Sequence, residues 1–159
     1  MNEARASRVV GEKKLAILQT IAEMLERPSA EKVTTALLAR QMNVSEAALY
    51  RHFASKAQMY EGLIEFIESG VFGVIGQIET AEEAGLKQAE AIVASLLRFA
   101  QKNRGLTRVL VGDALVHENP RLQARINQLL DRLEATLKQC LKIAVAQGAL
   151  GGALGEAHD

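Results

Sequence analysis

Apolar residues recur along this chain at spacings of three and four, the period of a helix, and no useful stretch alternates with the period of two that marks a strand. From Glu12 to Arg27 the stripe Leu15, Leu18, Ile21, Ala22 and Leu25 predicts an amphipathic helix with that face buried. Pro28 disfavours helical angles at Arg27 and is expected to end it. Two short helices follow. Thr34 is placed to cap the first, whose apolar positions are Leu37, Leu38 and Met42. Asn43 falls where the chain must turn sharply, and Asn tolerates left-handed backbone angles. Ser45 caps the second, with Glu46 in its opening turn and Leu49 and Phe53 facing inward.

The second half of the chain continues in the same period. Ser55 with Gln58 fits a capping box that opens a fourth helix carrying Met59, Leu63, Phe66 and Ile67. Gly70, Gly73 and Gly76 each weaken a helix interior by about 1 kcal/mol, so a fray or kink is expected after Gly70. A fifth helix fits Ala84 to Lys102, with Ala91, Ile92, Leu96, Leu97 and Phe99 buried. Asn103-Arg104-Gly105 breaks it, and a sixth spans Leu106 to Val116, apolar on most faces and therefore central. Asn119 and Pro120 are the cap and first position of a seventh, whose stripe is Leu122, Ile126, Leu129, Leu130, Leu133, Leu137 and Leu141. That stripe fits a core face, and its length also suits a partner helix. Past Val145 the pattern gives way to a Gly/Ala-rich tail. Residues 1–11 are polar and expected to be mobile; Arg5 and Arg8 fit a flexible arm along a DNA groove as well as a frayed end.

Composition narrows the class. The 159 residues make one or two small domains, rich in Leu and Ala, and the fold class is all-α. The net charge is zero but unevenly divided: residues 1–60 hold nine Lys and Arg against six acids, and residues 61–159 hold ten against thirteen. The surplus of basic charge thus sits with the two short helices, as a footprint on DNA requires. The one cysteine, Cys140, lies in an apolar helical pattern and reads as core in a reducing cytosol. No signal-peptide core and no run of membrane-spanning length is present, so a cytoplasmic protein without a membrane partner is expected. His117 beside Glu118 lacks a second ligand pair, so no metal is expected, and nothing calls for a cofactor. No nucleophile–base arrangement or phosphate-cradling glycine loop is visible, which argues against an enzyme.

The candidate chemistry lies in the two short helices. A pair joined by a tight turn, the second bearing small and hydrogen-bonding residues, is the helix-turn-helix arrangement. Its second helix can enter a major groove, roughly 12 Å wide. Ala47 and Ala48 permit close approach, Tyr50, His52 and Lys56 can donate to phosphates, and Arg51 projects from the same helix. An ordinary αα-hairpin with solvated polar residues fits the pattern too.

The run Thr34-Thr35-x-x-Leu38-Ala39, then Val44-Ser45, then Leu49-Tyr50-x-His52-Phe53-x-x-Lys56, resembles the DNA-binding domain of TetR-type regulators. Three later blocks are similar to the nucleoid occlusion branch of that family: Leu63-Ile64-Glu65-Phe66-Ile67-Glu68, Asn103-x-Gly105-Leu106-Thr107-Arg108-Val109-Leu110 and Arg121-Leu122-Gln123-x-Arg125-Ile126-Asn127-Gln128-Leu129. The likeness runs from about residue 12 to 142. It implies a three-helix DNA-binding domain over 1–54 and a helical regulatory and dimerisation bundle over 55–147; the flexible tail over 148–159 is read from its Gly/Ala-rich composition, where the likeness has ended. The likeness also implies a nucleoid-associated homodimer on palindromic double-stranded DNA that, when bound there, antagonises FtsZ ring assembly. By the same resemblance Thr34, Thr35, Ser45, Ala48, Tyr50, His52 and Lys56 face DNA, and Phe66, Lys102 and Asn103 belong to the face offered to FtsZ, Lys102 standing where the family has Arg. Val74 and Arg98 depart from the family pattern on that face. The bundle is expected to lack the last two family helices, which supply most of the dimer interface, as in a truncated or frame-shifted gene or a form that assembles differently. Two other functions fit: a ligand-responsive repressor of the same family, and a shortened protein-interaction module that binds DNA weakly.

Overall fold

A computed structural model of the chain describes residues 2–27 and 32–149. Among them lie α1 (Asn2–Glu26), α2 (Thr35–Met42), α3 (Glu46–Tyr50), α4 (Lys56–Ala81), α5 (Gly85–Lys102), α6 (Arg104–Leu110), a 3₁₀ turn (Asp113–Leu115) and α7 (Pro120–Ala146), and no strand. The all-α class holds. Two compact units interleave along the chain: Met1–Phe66 with Asn103–Ile126, and Ile67–Lys102 with Asn127–Asp159.

The first unit is built on α1. Ile17, Leu18, Ile21 and Leu25 are its buried stripe, whereas Leu15, expected inside, is exposed. At 3.6 residues per turn Leu15 points roughly 100° away from the centre of that stripe, and Ile17 takes its place. The helix also begins at Asn2 rather than near Glu12, so the expected mobile arm is helical; Arg5 is exposed on it. The side chain of Arg8 and the whole of Pro28 lie outside the described residues.

Helix α6 packs directly on α1. A Cβ at Gly105 would land on the carbonyl oxygen of Ala22, so only glycine permits this backbone approach. The guanidinium of Arg108 donates to the carbonyl of Leu25 at 2.9 Å, satisfying an acceptor in the last turn of α1. The sixth helix is shorter than the sequence predicts. Gly112 takes φ 84°, a left-handed turn open to glycine, and the chain re-forms as the 3₁₀ turn. Leu106, Val109 and Leu115 are buried, while Val111 and Val116 project to solvent.

In the second unit α4 runs unbroken through its three glycines, which corrects the expected kink after Gly70. Ile67, Val71 and Ile75 are buried on one face, while the three glycines open onto empty space. Burial of that face outweighs the propensity deficit. Phe72 beside them carries the Arg132 guanidinium 3.8 Å from its ring centre, and Arg132 also pairs with Glu68 at 3.0 Å. Helix α5 buries Gln88, Ala89 and Ile92; Leu97, expected inside, is 62% exposed. Gln88 is accommodated because its amide donates to the carbonyl of Glu82 at 2.6 Å.

Helix α7 opens as predicted, with Asn119 Oδ1 accepting from the Arg121 amide at 3.0 Å and Pro120 in first position. Leu122, Ile126, Leu129 and Leu133 are core, followed by Cys140 and Ala144, while Leu130 and Leu141 are exposed. Burial, and next the charge of Glu79, raise the Cys140 thiol's pKa, which keeps it protonated. Gly148, at φ 82°, closes the helix: its amide donates to Val145 and that of Ala149 to Ala144, both at 3.0 Å. The predicted tail lies outside the described residues from 150 onward.

Candidate nucleic-acid interface

The turn between α2 and α3 is held by backbone geometry. Asn43 is the one non-glycine residue among those described with positive φ, at 55°. Its amide donates to the carbonyl of Arg40 at 3.1 Å and that of Val44 to Ala39 at 3.0 Å, the two-bond closure that terminates helices through a left-handed residue. Each short helix has its side-chain cap: Thr34 Oγ1 accepts from the amide of Leu37, and Ser45 Oγ from the amide of Ala48, both at 3.1 Å. Each capping hydroxyl accepts through a lone pair, so its own proton remains available to an outside acceptor such as a phosphate.

Leu38, Ala39, Leu49 and Phe53 anchor this pair to the core. The ladder of α3 persists past Tyr50, since Arg51 donates to Ala47 at 3.2 Å and Phe53 to Leu49 at 3.1 Å. That leaves Ala47, Tyr50 and Arg51 exposed, with Ala48 and His52 half-buried behind them. Small side chains lead and donors follow, the order a helix needs if its start is to approach base edges while its end meets the backbone. The Nδ1 of His52 is buried without a hydrogen-bond partner. Lys14, from α1, places its ammonium 5.6 Å from the centre of the Phe53 ring.

Two sites carry partnerships that local spacing does not reveal. The Tyr50 hydroxyl donates to Thr35 Oγ1 at a long 3.4 Å, and Thr35 Oγ1 donates to Glu46 Oε2 at 3.2 Å. Lys56, expected to face a phosphate, pairs with Glu118 at 2.7 Å, and its ammonium lies 5.8 Å from the centre of the Tyr60 ring. Burial, then the charge of Glu118, raise the Tyr60 hydroxyl's pKa well above the usual range, so it stays neutral in this cluster. Glu118 is 62 positions from Lys56, beyond the reach of any local pattern. The fourth-helix cap differs in one detail: Ser55 Oγ accepts from the Gln58 amide at 3.1 Å, but Gln58 Oε1 reaches back to the amide of Ala54 rather than Ser55.

The residues matched to a partner face are spread over both units. Phe66 is 45% exposed and belongs to the first unit with Asn103, which precedes α6 and accepts from the Thr107 hydroxyl through its carbonyl at 2.7 Å. Lys102 ends α5 in the second unit and is exposed. Within that second unit an apolar groove of about 60 Å³ runs between α4 and α5, lined by Gly70, Val74, Ile92, Ser95, Leu96 and Phe99. Arg98 donates to Ser95 at 3.3 Å. No group of three metal-ligating side chains occurs among the described residues, and no helix there is long and apolar enough to cross a membrane.

Comparison with known proteins meets this geometry. Residues 17–63 match the model of the bacterial regulatory proteins of the tetR family, and residues 83–157 match an SlmA-like form of the tetracyclin repressor-like C-terminal domain. The chain is 54% identical over 127 residues to the nucleoid occlusion factor SlmA of Aliivibrio fischeri strain ES114, covering 79% of this chain and 65% of that protein. The SlmA of Vibrio cholerae strain N16961 is likewise 54% identical over 127 residues. That of Marinomonas sp. strain MWYL1 is 49% identical over 141 residues, covering 89% of this chain and 72% of that protein. The chain spans about two thirds of the length of the curated relatives it matches.

Proposed function

Since the chain belongs to the SlmA family of TetR-type DNA-binding proteins, we propose that it acts as a nucleoid occlusion factor: a non-enzymatic, nucleoid-associated cytoplasmic protein that binds palindromic DNA and, once bound, inhibits FtsZ ring assembly. The observation that carries this reading is the capped, left-handed turn that holds α3 with Ala47, Tyr50 and Arg51 exposed. Residues 1–54 form the DNA-reading part and residues 55–147 the regulatory part. Thr34, Ser45, Tyr50 and His52 set position on phosphates through their side chains, Thr35 does so through its backbone amide in the first turn of α2, and the start of α3 reads bases.

A palindrome needs two such heads. The exposed apolar positions Leu130, Leu141 and Val145 fall on one face of α7 and suit a second copy of the chain. Phe66, Lys102 and Asn103 are the candidate contacts with FtsZ.

Sedimentation of the purified chain with a palindromic duplex, with polymer pelleting of FtsZ in the presence of GTP, tests both halves. A two-protomer complex on the duplex and reduced FtsZ pelleting only when that duplex is present are expected. A folded chain that ignores every duplex at low salt rejects the DNA half, and one that binds DNA but leaves pelleting unchanged rejects the FtsZ half.

A further inference from the structure

The only acid between Thr34 and Lys56 is Glu46, and it stands at the start of α3, on the surface that is meant to approach a polyanion. The dipole of so short a helix favours an acid in its first turn only weakly, and phosphates repel the same carboxylate, so a base partner would offset that repulsion. Capping is left to Ser45, which already satisfies the Ala48 amide. The geometry of Glu46 is also restrained. Thr35 on α2 donates to Oε2 at 3.2 Å and is itself approached by the Tyr50 hydroxyl, whereas Oε1 accepts no hydrogen bond among the described residues.

A carboxylate can only accept, so in the major groove it is complementary to an amino group: N4 of cytosine or N6 of adenine. Adenine sets the acceptor N7 beside its amino group, where a second carboxylate oxygen is repelled. Cytosine offers the amino group without that neighbour. We infer that Glu46 is a specificity-determining residue, accepting through Oε1 from the N4 amino group of one cytosine in each half-site, with Thr35 as the positioning residue that holds its carboxylate. This rests on the proposed docking of α3 in the groove. The single proton of the Thr35 hydroxyl is then spent on orienting a base-reading group rather than on a phosphate.

Selection from randomised duplexes by the wild-type chain, E46A and E46Q, followed by titration of every single-pair variant of the selected site, tests the assignment. The wild type is expected to select C·G at one pair per half-site. E46A is expected to accept all four pairs there, its discrimination falling about tenfold to a hundredfold, with preferences elsewhere kept. E46Q is expected to turn that pair toward A·T, because an amide can both donate to N7 and accept from N6. An E46A preference that superimposes on that of the wild type overturns the inference, as does a uniform gain in affinity for all sequences, which removal of a charge alone would produce. Relaxation at a pair that holds no cytosine in the wild-type site overturns it too. A wild type that binds no duplex rejects the DNA-binding reading itself, a result distinct from the other three.

Discussion

Side chains in the candidate interface divide between those that act locally and those held by a distant partner. Thr34 and Ser45 belong to the first kind, and spacing alone identifies them because a cap acts over three residues. Tyr50 is exposed, and its long 3.4 Å bond to Thr35 can give way to a phosphate acceptor. Tyr50→Phe is expected to weaken binding to all duplexes alike while leaving the salt dependence unchanged, since no counterion is released by a neutral donor; anisotropy titrations at several salt concentrations check this. Lys56 belongs to the second kind, with its charge engaged by Glu118. Glu118→Gln releases that charge, so affinity at low salt is expected to rise and the logarithmic salt slope to steepen by about 0.9, one phosphate's worth. An unchanged slope would mean that Lys56 makes no phosphate contact. His52 was legible as a donor, but the burial of its Nδ1 depends on neighbours brought in by the fold.

Among the elements, glycine shows how much context decides. Gly70, Gly73 and Gly76 lower the helix propensity of α4, yet their positions face open space while Val71 and Ile75 between them are buried. Replacing all three by Ala is expected to stabilise the protein by about 1 kcal/mol per site, read as a raised midpoint in urea and slower amide exchange across 70–76. Gly105 is the opposite case. A methyl group there meets the carbonyl oxygen of Ala22, so Gly105→Ala is expected to destabilise by about 1–3 kcal/mol as α6 is forced off α1, a loss read from the same urea midpoint. Both kinds look alike in the sequence, because propensity is a property of the residue and approach distance a property of the packing. Helix starts at Thr35, Glu46 and Pro120 were legible through their caps, whereas α1 begins at Asn2, well before the predicted start. The sixth helix was overestimated because Gly112 sits inside an apolar run whose periodicity hides it.

For the whole molecule the proposed assembly gives the sharpest expectation. Leu141→Asp places a charge on the exposed apolar face of α7 without touching its buried side. It is expected to convert a dimer to a monomer in equilibrium sedimentation and to lower affinity for a palindrome by orders of magnitude, while a single half-site is bound as before. Equal palindrome affinity would place the contact between copies elsewhere. Residue order by itself determined the helical class, the position of the tight turn, the caps of α2, α3 and α7, and the exposed small and polar residues of α3, because each depends on interactions within a few positions. Tertiary structure alone decided that Lys56 meets Glu118, that Arg108 meets the end of α1, that Leu15 and Leu97 lie outside and that α4 survives its glycines. Those outcomes depend on which surfaces meet after the chain has folded, and the energy of burying one helix face is a property of the neighbour that covers it as much as of the helix.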